Sequence, residues 1–404
     1  MNARTVRTLL FALSLIVAAA SSFGQQEQWL RYRTAVDPYG AVGAGGYQNV
    51  TSTTTAPEGL KLPNLVSDKP LFFRWKSPAA KDGGMWCVLD RSGERLYDRL
   101  YVDPDGDGDL AKHPAIKAEE ARDDGNFRSV AFRQVKLLLG GEEGPTAYHL
   151  NVLWQSSGGR TTTYFASAGW YEGPVTVGGK SLWCTLIDAN ANGRFDDRAD
   201  GSANRDKIRI AAKGDRSFFS ETDRVTRFVG KYVEVEDKLY TLEVAPDGAS
   251  VKLSPAGDVA SGSVRLTEGV SEVALLSKDG HFIRKPKDGL LSVPVGEYRV
   301  LGWQAGRTDK DGKAWQLLAR NTSDGPVAVS VVAGKEAALD IAEPIQSRAS
   351  LSRQGDEYVI NQELRGRGGE SVSLRCTGEQ PPAPRVRVVN ADRSYDGTYS
   401  MEYG

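Results

Sequence analysis

Apolar and polar residues alternate along much of the chain, and this alternation is the main structural signal in the sequence. Tyr148, Leu150, Val152 and Trp154 are separated by mainly polar residues, which is the period of a strand with one buried face. Residues 130–139 begin with the same alternation and end as a continuous apolar run. We therefore predict a strand in each of these two stretches.

Pairs of such segments predict two hairpins. Residues 175–177 and 181–187 flank a Gly-Gly pair, and residues 231–235 and 239–244 lie equally close together. Short turns of this kind join antiparallel strands. One helix is predicted at residues 114–122, because Pro114 would occupy its first position and Gly125 would follow its end.

Residues 261–343 carry a denser pattern of short apolar segments, several of them separated by Asp-Gly turns. Many short strands at regular spacing are typical of a β-sandwich. The predicted strands are 264–266, 273–276, 290–293, 298–303, 315–318, 327–332 and 337–341. The sequence as a whole predicts an all-β, mostly antiparallel fold.

A chain of 404 residues is too long for one ordinary core, so we expect several domains. Residues 25–64 show no period and predict an irregular arm, and residues 65–250 predict a β-rich domain with two loops rich in Asp and Asn. The β-sandwich is predicted for residues 251–345. Residues 346–404 carry further strand patterns and form either a small C-terminal β segment of their own or the completion of the sandwich.

Residues 1–24 have the pattern of a secretory signal peptide. Arg4 and Arg7 precede a short apolar stretch, and small residues lead to an expected cleavage site before Gln25. The apolar stretch from Leu9 to Ala20 is shorter than the about 20 apolar residues that a membrane-spanning helix needs. A cleaved signal peptide is therefore the first interpretation, and a retained anchor is the alternative. We therefore expect a secreted, periplasmic or cell-surface protein, with no membrane span in the mature chain.

The charge of the chain narrows the choice of binding partners. The chain has 51 Lys and Arg and 52 Asp and Glu, well mixed, for a net charge of −1. Nucleic-acid-binding proteins carry a basic patch, so we do not expect nucleic acid as a partner.

Cys87 and Cys184 lie in similar apolar surroundings, which fits either two buried thiols or a disulfide bridge in an exported protein. Cys376 is the third cysteine.

Two loops carry oxygen-bearing side chains at positions 1, 3 and 5, glycine at position 6 and a large apolar residue at position 8. Alternate spacing in a tight turn lets several oxygens face one hard cation, and glycine permits the turn. Position 7 contributes its backbone carbonyl, so its side chain can vary. The candidate ligands are Asp103, Asp105, Asp107 and Asp109 in the first loop and Asp188, Asn190, Asn192 and Arg194 in the second.

Both loops resemble the first eight positions of an EF-hand loop and the calcium loops of dockerin and thrombospondin type 3 repeats. Position 12 lacks the expected glutamate, since Pro114 and Ala199 stand there. Another carboxylate must therefore close each site. The candidates are Asp196, Asp197 and Asp200 for the second loop and Asp109, Glu119 and Glu120 for the first.

We predict calcium as the metal in both loops. Four aspartates within seven residues of the first loop repel one another unless a cation compensates them. All the candidate ligands are oxygens, which argues against zinc. Magnesium demands stricter octahedral geometry and usually keeps several waters.

Longer stretches around both loops, including GWYEGPVTVGGKSLWCTLIDANANGRFDD, resemble a group of exported bacterial proteins of unknown function. That resemblance implies export and calcium binding and offers no activity. Residues 291–300 contain Pro-x-Gly-x-Tyr, which resembles the prealbumin-like, or carboxypeptidase-regulatory-like, β-sandwich. The resemblance implies that Tyr298 is a buried anchor and that the domain is an accessory module with a structural or adhesive role.

No nucleophile elbow, zinc-protease motif or phosphate loop occurs in the sequence. The first hypothesis is thus an exported calcium-binding structural or binding protein, in which calcium braces a β-rich scaffold and the partner is an extracellular or cell-surface glycan or protein. The second is a carbohydrate-binding module that uses exposed Trp170, Trp303 or Trp315. The third is a hydrolase of unknown substrate, although no carboxylate pair stands out.

Overall fold

The structure is a computed structural model that describes residues 26–43, 45–140, 144–198, 205–214, 225–320, 328–355 and 357–403. The predicted signal peptide and Asp200 lie outside these residues. The regular secondary structure of the described chain is nearly all β-strand, which confirms the prediction of an all-β, mostly antiparallel, multidomain fold. None of its helices is long and apolar enough to cross a membrane.

The first part of the chain contains many strands, a short α-helix, α1 (Pro38–Val42), and short 3-10 turns at Lys81–Gly83 and Leu110–Lys112. The strands are β1 (Gln28–Trp29), β2 (Arg31–Thr34), β3 (Tyr47–Val50), β4 (Leu71–Lys76), β5 (Gly84–Asp90), β6 (Arg99–Val102), β7 (Ile116–Lys117), β8 (Glu120–Asp123), β9 (Phe127–Leu139), β10 (Thr146–Ser157), β11 (Arg160–Ser167), β12 (Gly169–Val177), β13 (Lys180–Ile187), β14 (Lys207–Ala211), β15 (Thr226–Phe228), β16 (Tyr232–Val235), β17 (Lys238–Val244) and β18 (Ser250–Pro255).

The remaining strands follow without an intervening α-helix in the described residues. They are β19 (Ser261–Leu266), β20 (Val270–Ser277), β21 (Gly280–Arg284), β22 (Leu290–Pro294), β23 (Gly296–Thr308), β24 (Ala314–Arg320), β25 (Val329–Val331), β26 (Glu336–Leu339), β27 (Gln346–Gln354), β28 (Glu357–Arg365), β29 (Ser371–Cys376), β30 (Arg385–Val389) and β31 (Asp396–Ser400).

Strands β1–β18 form sheets that enclose one hydrophobic core. Their orders are β1-β18-β17-β16, β3-β11-β10-β9-β8, β15-β14-β13-β12-β2 and β4-β5-β6-β7. Trp75, Phe132, Phe165 and Leu186 lie fully buried in this core. Both predicted hairpins are confirmed, since β12 pairs with β13 and β16 pairs with β17. All four sheets therefore pack on the same core, and the second Asp/Asn-rich loop begins at the end of β13, one of their strands.

The structure corrects the prediction that residues 25–64 form an irregular arm. β1, β2 and β3 lie in that range and pair with β18, β12 and β11, and Leu30 is buried in the first core. These strands are two to four residues long, too short to show an alternating pattern. Their order comes from pairing with longer strands elsewhere in the chain.

The predicted helix at residues 114–122 is wrong. The segment contains β7, which pairs with β6, and the start of β8, which pairs with β9. Helix propensities of ordinary residues differ by only about 0.7 kcal/mol. Pairing with an existing sheet edge therefore outweighs the local preference.

Strands β19–β29 form the β-sandwich around a second core that contains Phe282, Tyr298 and Trp303. Tyr298 is fully buried and its hydroxyl donates to the Pro294 carbonyl at 2.7 Å, so the expected anchor is present. The orders are β22-β19-β26 and β21-β20-β23-β24-β29-β28-β27, with β25 paired to β23. β27–β29 therefore complete the sandwich, and β30 pairs with β31 in a separate hairpin.

The described cysteines are free thiols. Cys87 and Cys184 are both buried and lie in different sheets. Burial raises the pKa of Cys184 to about 12. Of the alternatives left open by the sequence, the structure has buried, neutral thiols that act as small apolar groups.

Candidate metal centre

The second loop begins and ends on buried carboxyl groups. Asp188 directly follows β13 and Asp206 directly precedes β14. The two strands are antiparallel neighbours in which Ile187 lies opposite Lys207. Continuing this register places Asp188 and Asp206 side by side at the strand ends, and neither side chain has solvent exposure.

The Asp188 carboxylate is the point around which the loop folds. The Tyr148 hydroxyl and the Gly193 amide each donate to Oδ2 at 2.7 Å. The backbone amides of Asn190 and Asn192 each donate to Oδ1 at 3.2 Å. Position 1 of the loop therefore receives the amides of positions 3, 5 and 6.

Asp197 brings the two predicted asparagine ligands together. The side-chain amides of Asn190 and Asn192 donate to its Oδ2 at 2.8 Å and 2.6 Å. Amide nitrogen and oxygen exchange places by a half-turn of the side chain. These two amides can therefore direct oxygens to the same region when a cation lies there.

Asp206 is a carboxyl group that the sequence analysis missed. Its Oδ1 accepts the Ala189 amide at 3.0 Å and its Oδ2 accepts the Asp197 amide at 2.8 Å. Its own amide donates to the Asp197 carbonyl at 2.9 Å. Asp206 therefore ties the start of the loop to its end. Its only sequence signal is an aspartate directly before an apolar strand.

The structure places Asp196 away from this group. The Arg194 guanidinium donates to both Asp196 oxygens, at 2.8 Å and 2.7 Å. Asp196 is thus paired with Arg194, whereas the Asp197 carboxylate accepts both asparagine amides and the Asp206 carboxylate accepts backbone amides of the loop.

Burial raises the pKa values of two carboxyl groups of the second loop. It raises the pKa of Asp188 to about 6 and that of Asp206 well above its ordinary value, with Asp188 and Asp197 adding to the shift at Asp206. Within the described chain, no lysine or arginine forms an ion pair with these three carboxyl groups. A divalent cation would favour their ionised forms.

The loop is fixed to the first core at several points. The Trp75 indole donates to the Ala191 carbonyl at 2.6 Å. Phe195, at position 8, is buried, and the centre of its ring lies 5.1 Å from that of Tyr171. Gly193, at position 6, has φ +82, and a Cβ there would lie 2.7 Å from Leu139 Cδ1. The predicted roles of the glycine and the apolar residue are therefore confirmed.

The first loop contains a group that could hold a metal ion. Ligand atoms of Asp103, Asp105 and His113 all lie within 4.8 Å of one another, and no other His, Cys, Asp and Glu group in the described residues meets that distance. Asp103 is buried and accepts the amides of Asp107 and Gly108 at 3.1 Å and 2.7 Å. Burial raises its pKa, and Asp105 adds to this shift.

Asp107 and Asp109, the other predicted ligands of the first loop, are paired with lysines. Lys112 contacts the Asp107 carboxylate, and Lys61 Nζ lies 3.3 Å from Asp109 Oδ2. The lysines supply part of the positive charge that four crowded aspartates need. Another candidate closing residue, Glu120, instead forms a two-bond pair with Arg133.

Two of the three tryptophans considered for sugar binding are unavailable. Trp170 and Trp303 are only 7% and 2% exposed, because Trp170 packs with Val42 and Ile187 and Trp303 lies in the second core. Trp315 is partly exposed.

The sequence matches no protein-family model, and no curated protein matches it. The geometry of the two loops is therefore the basis on which a function can be proposed.

Proposed function

We propose that this protein is an exported calcium-binding scaffold in which calcium at the second loop braces the N-terminal β core. The observation that carries the proposal is the buried pair Asp188 and Asp206, neither of which has an ion pair in the described chain, with the Asp197 amide bonded to Asp206. Isolated buried carboxylates are costly in the ionised form. A bound divalent cation removes that cost and stabilises the folded loop.

The donor chemistry supports calcium. The second loop offers carboxylate and amide oxygens from Asp188, Asn190, Asn192, Asp197 and Asp206, and no thiol or imidazole takes part in the hydrogen bonds around them. Calcium takes six to eight oxygens in flexible geometry. Zinc sites are built mainly from sulfur and nitrogen ligands.

The position of the loop supports a structural role. It contacts β4 through Trp75 and the turn before β18 through the bond from the Phe195 amide to the Pro246 carbonyl at 3.0 Å. A ligand that binds only the folded state stabilises it, by about 2.7 kcal/mol at a concentration 100 times Kd. Calcium here would therefore hold several sheets of one core together.

Export is part of the proposal, and the N-terminal sequence supports it. Calcium sites of extracellular modules have Kd values of about 10⁻⁴–10⁻³ M, a range suited to calcium-rich surroundings outside the cytoplasm. Expression of the full chain in a secreting host should give a mature protein that starts at Gln25. A cytoplasmic product that keeps residues 1–24 would contradict this part.

The first loop favours a different metal because His113 belongs to its group. Imidazole together with carboxylates suits manganese, zinc or other transition metals better than calcium. With Asp107 and Asp109 paired to lysines, the remaining donors are Asp103, Asp105 and His113. We propose this group as a second metal site with its own preference.

Thermal unfolding of the mature protein tests the main proposal. Samples stripped with a chelator are compared with samples in calcium and in magnesium at equal ionic strength. We expect the melting temperature to rise with the logarithm of the calcium concentration, to rise much less with magnesium, and to fall again on chelation. A melting temperature that calcium and chelator leave unchanged would contradict the proposal.

A further inference from the structure

A groove opens at the end of the sandwich where two strands of one sheet diverge. β28 and β29 pair only at Arg365 and Ser371, and residues of the β30–β31 hairpin line the groove together with residues of these strands. The groove has a volume of about 1480 Å³. Small-molecule pockets usually measure about 300–1,000 Å³, so this groove has room for a segment of a polymer.

Aromatic rings line both sides of the groove. Tyr358 lies on β28, Tyr395 directly precedes β31, Tyr399 lies on β31, Tyr403 follows the hairpin, and Trp315 lies on β24. The four tyrosines are 65%, 45%, 49% and 51% exposed, respectively. Such a concentration of exposed aromatic side chains marks a binding surface on a soluble protein.

Hydrogen bonds hold two of these rings in place. The Trp315 indole donates to Asp309 Oδ2 at 2.9 Å, and the Tyr403 hydroxyl donates to the Pro381 carbonyl at 3.0 Å. A ring that is already oriented loses little conformational entropy when a ligand stacks on it. The groove is therefore prepared for stacking before a ligand arrives.

The other tyrosines are also oriented by their neighbours. Tyr395 and Tyr399 lie on one face of the hairpin around Gly397, where an added Cβ would be 2.9 Å from both hydroxyl oxygens. The Arg353 guanidinium lies 5.9 Å from the centre of the Tyr358 ring. Tyr358 and the hairpin pair thus form two aromatic platforms on different walls.

The polar lining selects among polymers. Its charged residues are Glu363 and Glu402, no lysine or arginine belongs to it, and it also contains the amides of Asn361, Gln362 and Gln380. The lining itself offers no cation to a polyanion such as nucleic acid or an acidic glycan, and the neighbouring Arg353 and Arg365 already contact the Tyr358 ring and the Glu363 carboxylate. Amides and carboxylates bind hydroxyl groups, and flat rings stack on the apolar faces of sugars.

We propose that this groove binds a segment of a neutral polysaccharide, stacked on the tyrosines of its two walls. The carbohydrate site lies at Trp315 and the C-terminal hairpin rather than at the buried Trp170 and Trp303. It belongs to the second core and does not depend on the metal loops. The competing occupant is an extended peptide that adds to the diverging strands.

Affinity electrophoresis tests the proposal on the mature protein. Gels contain xyloglucan, mixed-linkage β-glucan, xylan or galactomannan, with polygalacturonate as the acidic comparison, and insoluble cellulose and chitin are tested by sedimentation. The variants are Tyr358→Ala, Tyr399→Ala and their combination. Tyr39→Ala is the matched control, because Tyr39 is 64% exposed on α1 and does not line the groove.

At least one neutral polysaccharide should bind, and polygalacturonate should not. Each groove variant should weaken binding about tenfold, which corresponds to one lost stacking contact, while Tyr39→Ala binds like the wild type. Circular dichroism checks that each variant is folded. The proposal is overturned if no neutral polysaccharide binds, if the double variant binds normally, or if a peptide array is bound instead and the same variants abolish that binding.

Discussion

Asp188 and Asp206 are cross-strand neighbours at the ends of β13 and β14, although a long loop separates them in the sequence. Asp188 receives the amides of the loop's first turn, and Asp206 receives those of Ala189 and Asp197. One buried carboxyl group thus organises the loop's interior and the other its two ends. Neutralising either should disturb metal binding as well as loop structure.

Gly193→Ala should destabilise the protein more than Gly179→Ala. Both glycines have φ +82, but a Cβ at Gly193 would lie 2.7 Å from Leu139 Cδ1, whereas Gly179 has open space. The left-handed backbone costs about 1–2 kcal/mol at either position, and overpacking adds about 1–3 kcal/mol at Gly193 alone. Urea unfolding in chelator measures the difference. Equal losses in the two variants would show that the loop does not pack as described.

Calcium should remove the loss of stability that Asp188 causes as the pH rises. Burial raises the pKa of Asp188 to about 6 in the folded, metal-free protein, above its unfolded value of about 3.9. The stability this group contributes is therefore fully present below pH 4 and is lost as the pH rises through 6. With calcium bound the carboxylate form is favoured and Asp188 is ionised in both the folded and the unfolded state above pH 5, so this loss of stability between pH 5 and pH 8 should disappear.

Unfolding curves at pH 5 and pH 8, each in calcium and in chelator, measure this effect. Comparison of the two conditions cancels groups distant from the loop, such as His281, whose pKa burial lowers well below its usual range. Asp188→Asn should remove the difference between calcium and chelator. Identical pH dependence of the wild type in both conditions would argue against a metal at Asp188.

The first loop should bind manganese or zinc through His113. His113→Gln should weaken that binding about tenfold or more, because even the loss of a group that only orients a metal ligand typically costs about 10–100-fold in affinity. Asp107→Asn is the control within the same loop, since its carboxylate contacts Lys112. Titration calorimetry with each metal gives the affinities. If Asp107→Asn weakens binding as much as His113→Gln does, the loop binds metal in the EF-hand manner instead.

Local sequence patterns predict many of the strands and the turn geometry of the second loop well. The alternation around Trp154 and the Gly-Gly turn between β12 and β13 are both found in the fold. Gly193 and Phe195 have the roles expected of positions 6 and 8. These features depend on neighbours within a few residues, which is the range that periodicity and turn chemistry report.

The features that the sequence did not predict depend on contacts between distant segments. Asp206 joins the second loop because β14 pairs with β13, and no spacing rule contains that pairing. The short strand β2 exists because β12 offers an edge. Trp303 is buried by the second core, although its surroundings in the sequence fit an exposed ring equally well.

Calorimetric titration of calcium into chelator-stripped mature protein tests the central claim most directly, with Asp206→Asn and Asp196→Asn as matched variants. Asp206 is one of the two fully buried aspartates of the second loop, whereas Asp196 is paired with Arg194. The wild type and Asp196→Asn should bind calcium, and Asp206→Asn should bind at least about tenfold more weakly, a loss of about 1.4 kcal/mol. No calcium binding by the wild type, or binding that Asp196→Asn abolishes and Asp206→Asn preserves, would contradict the account.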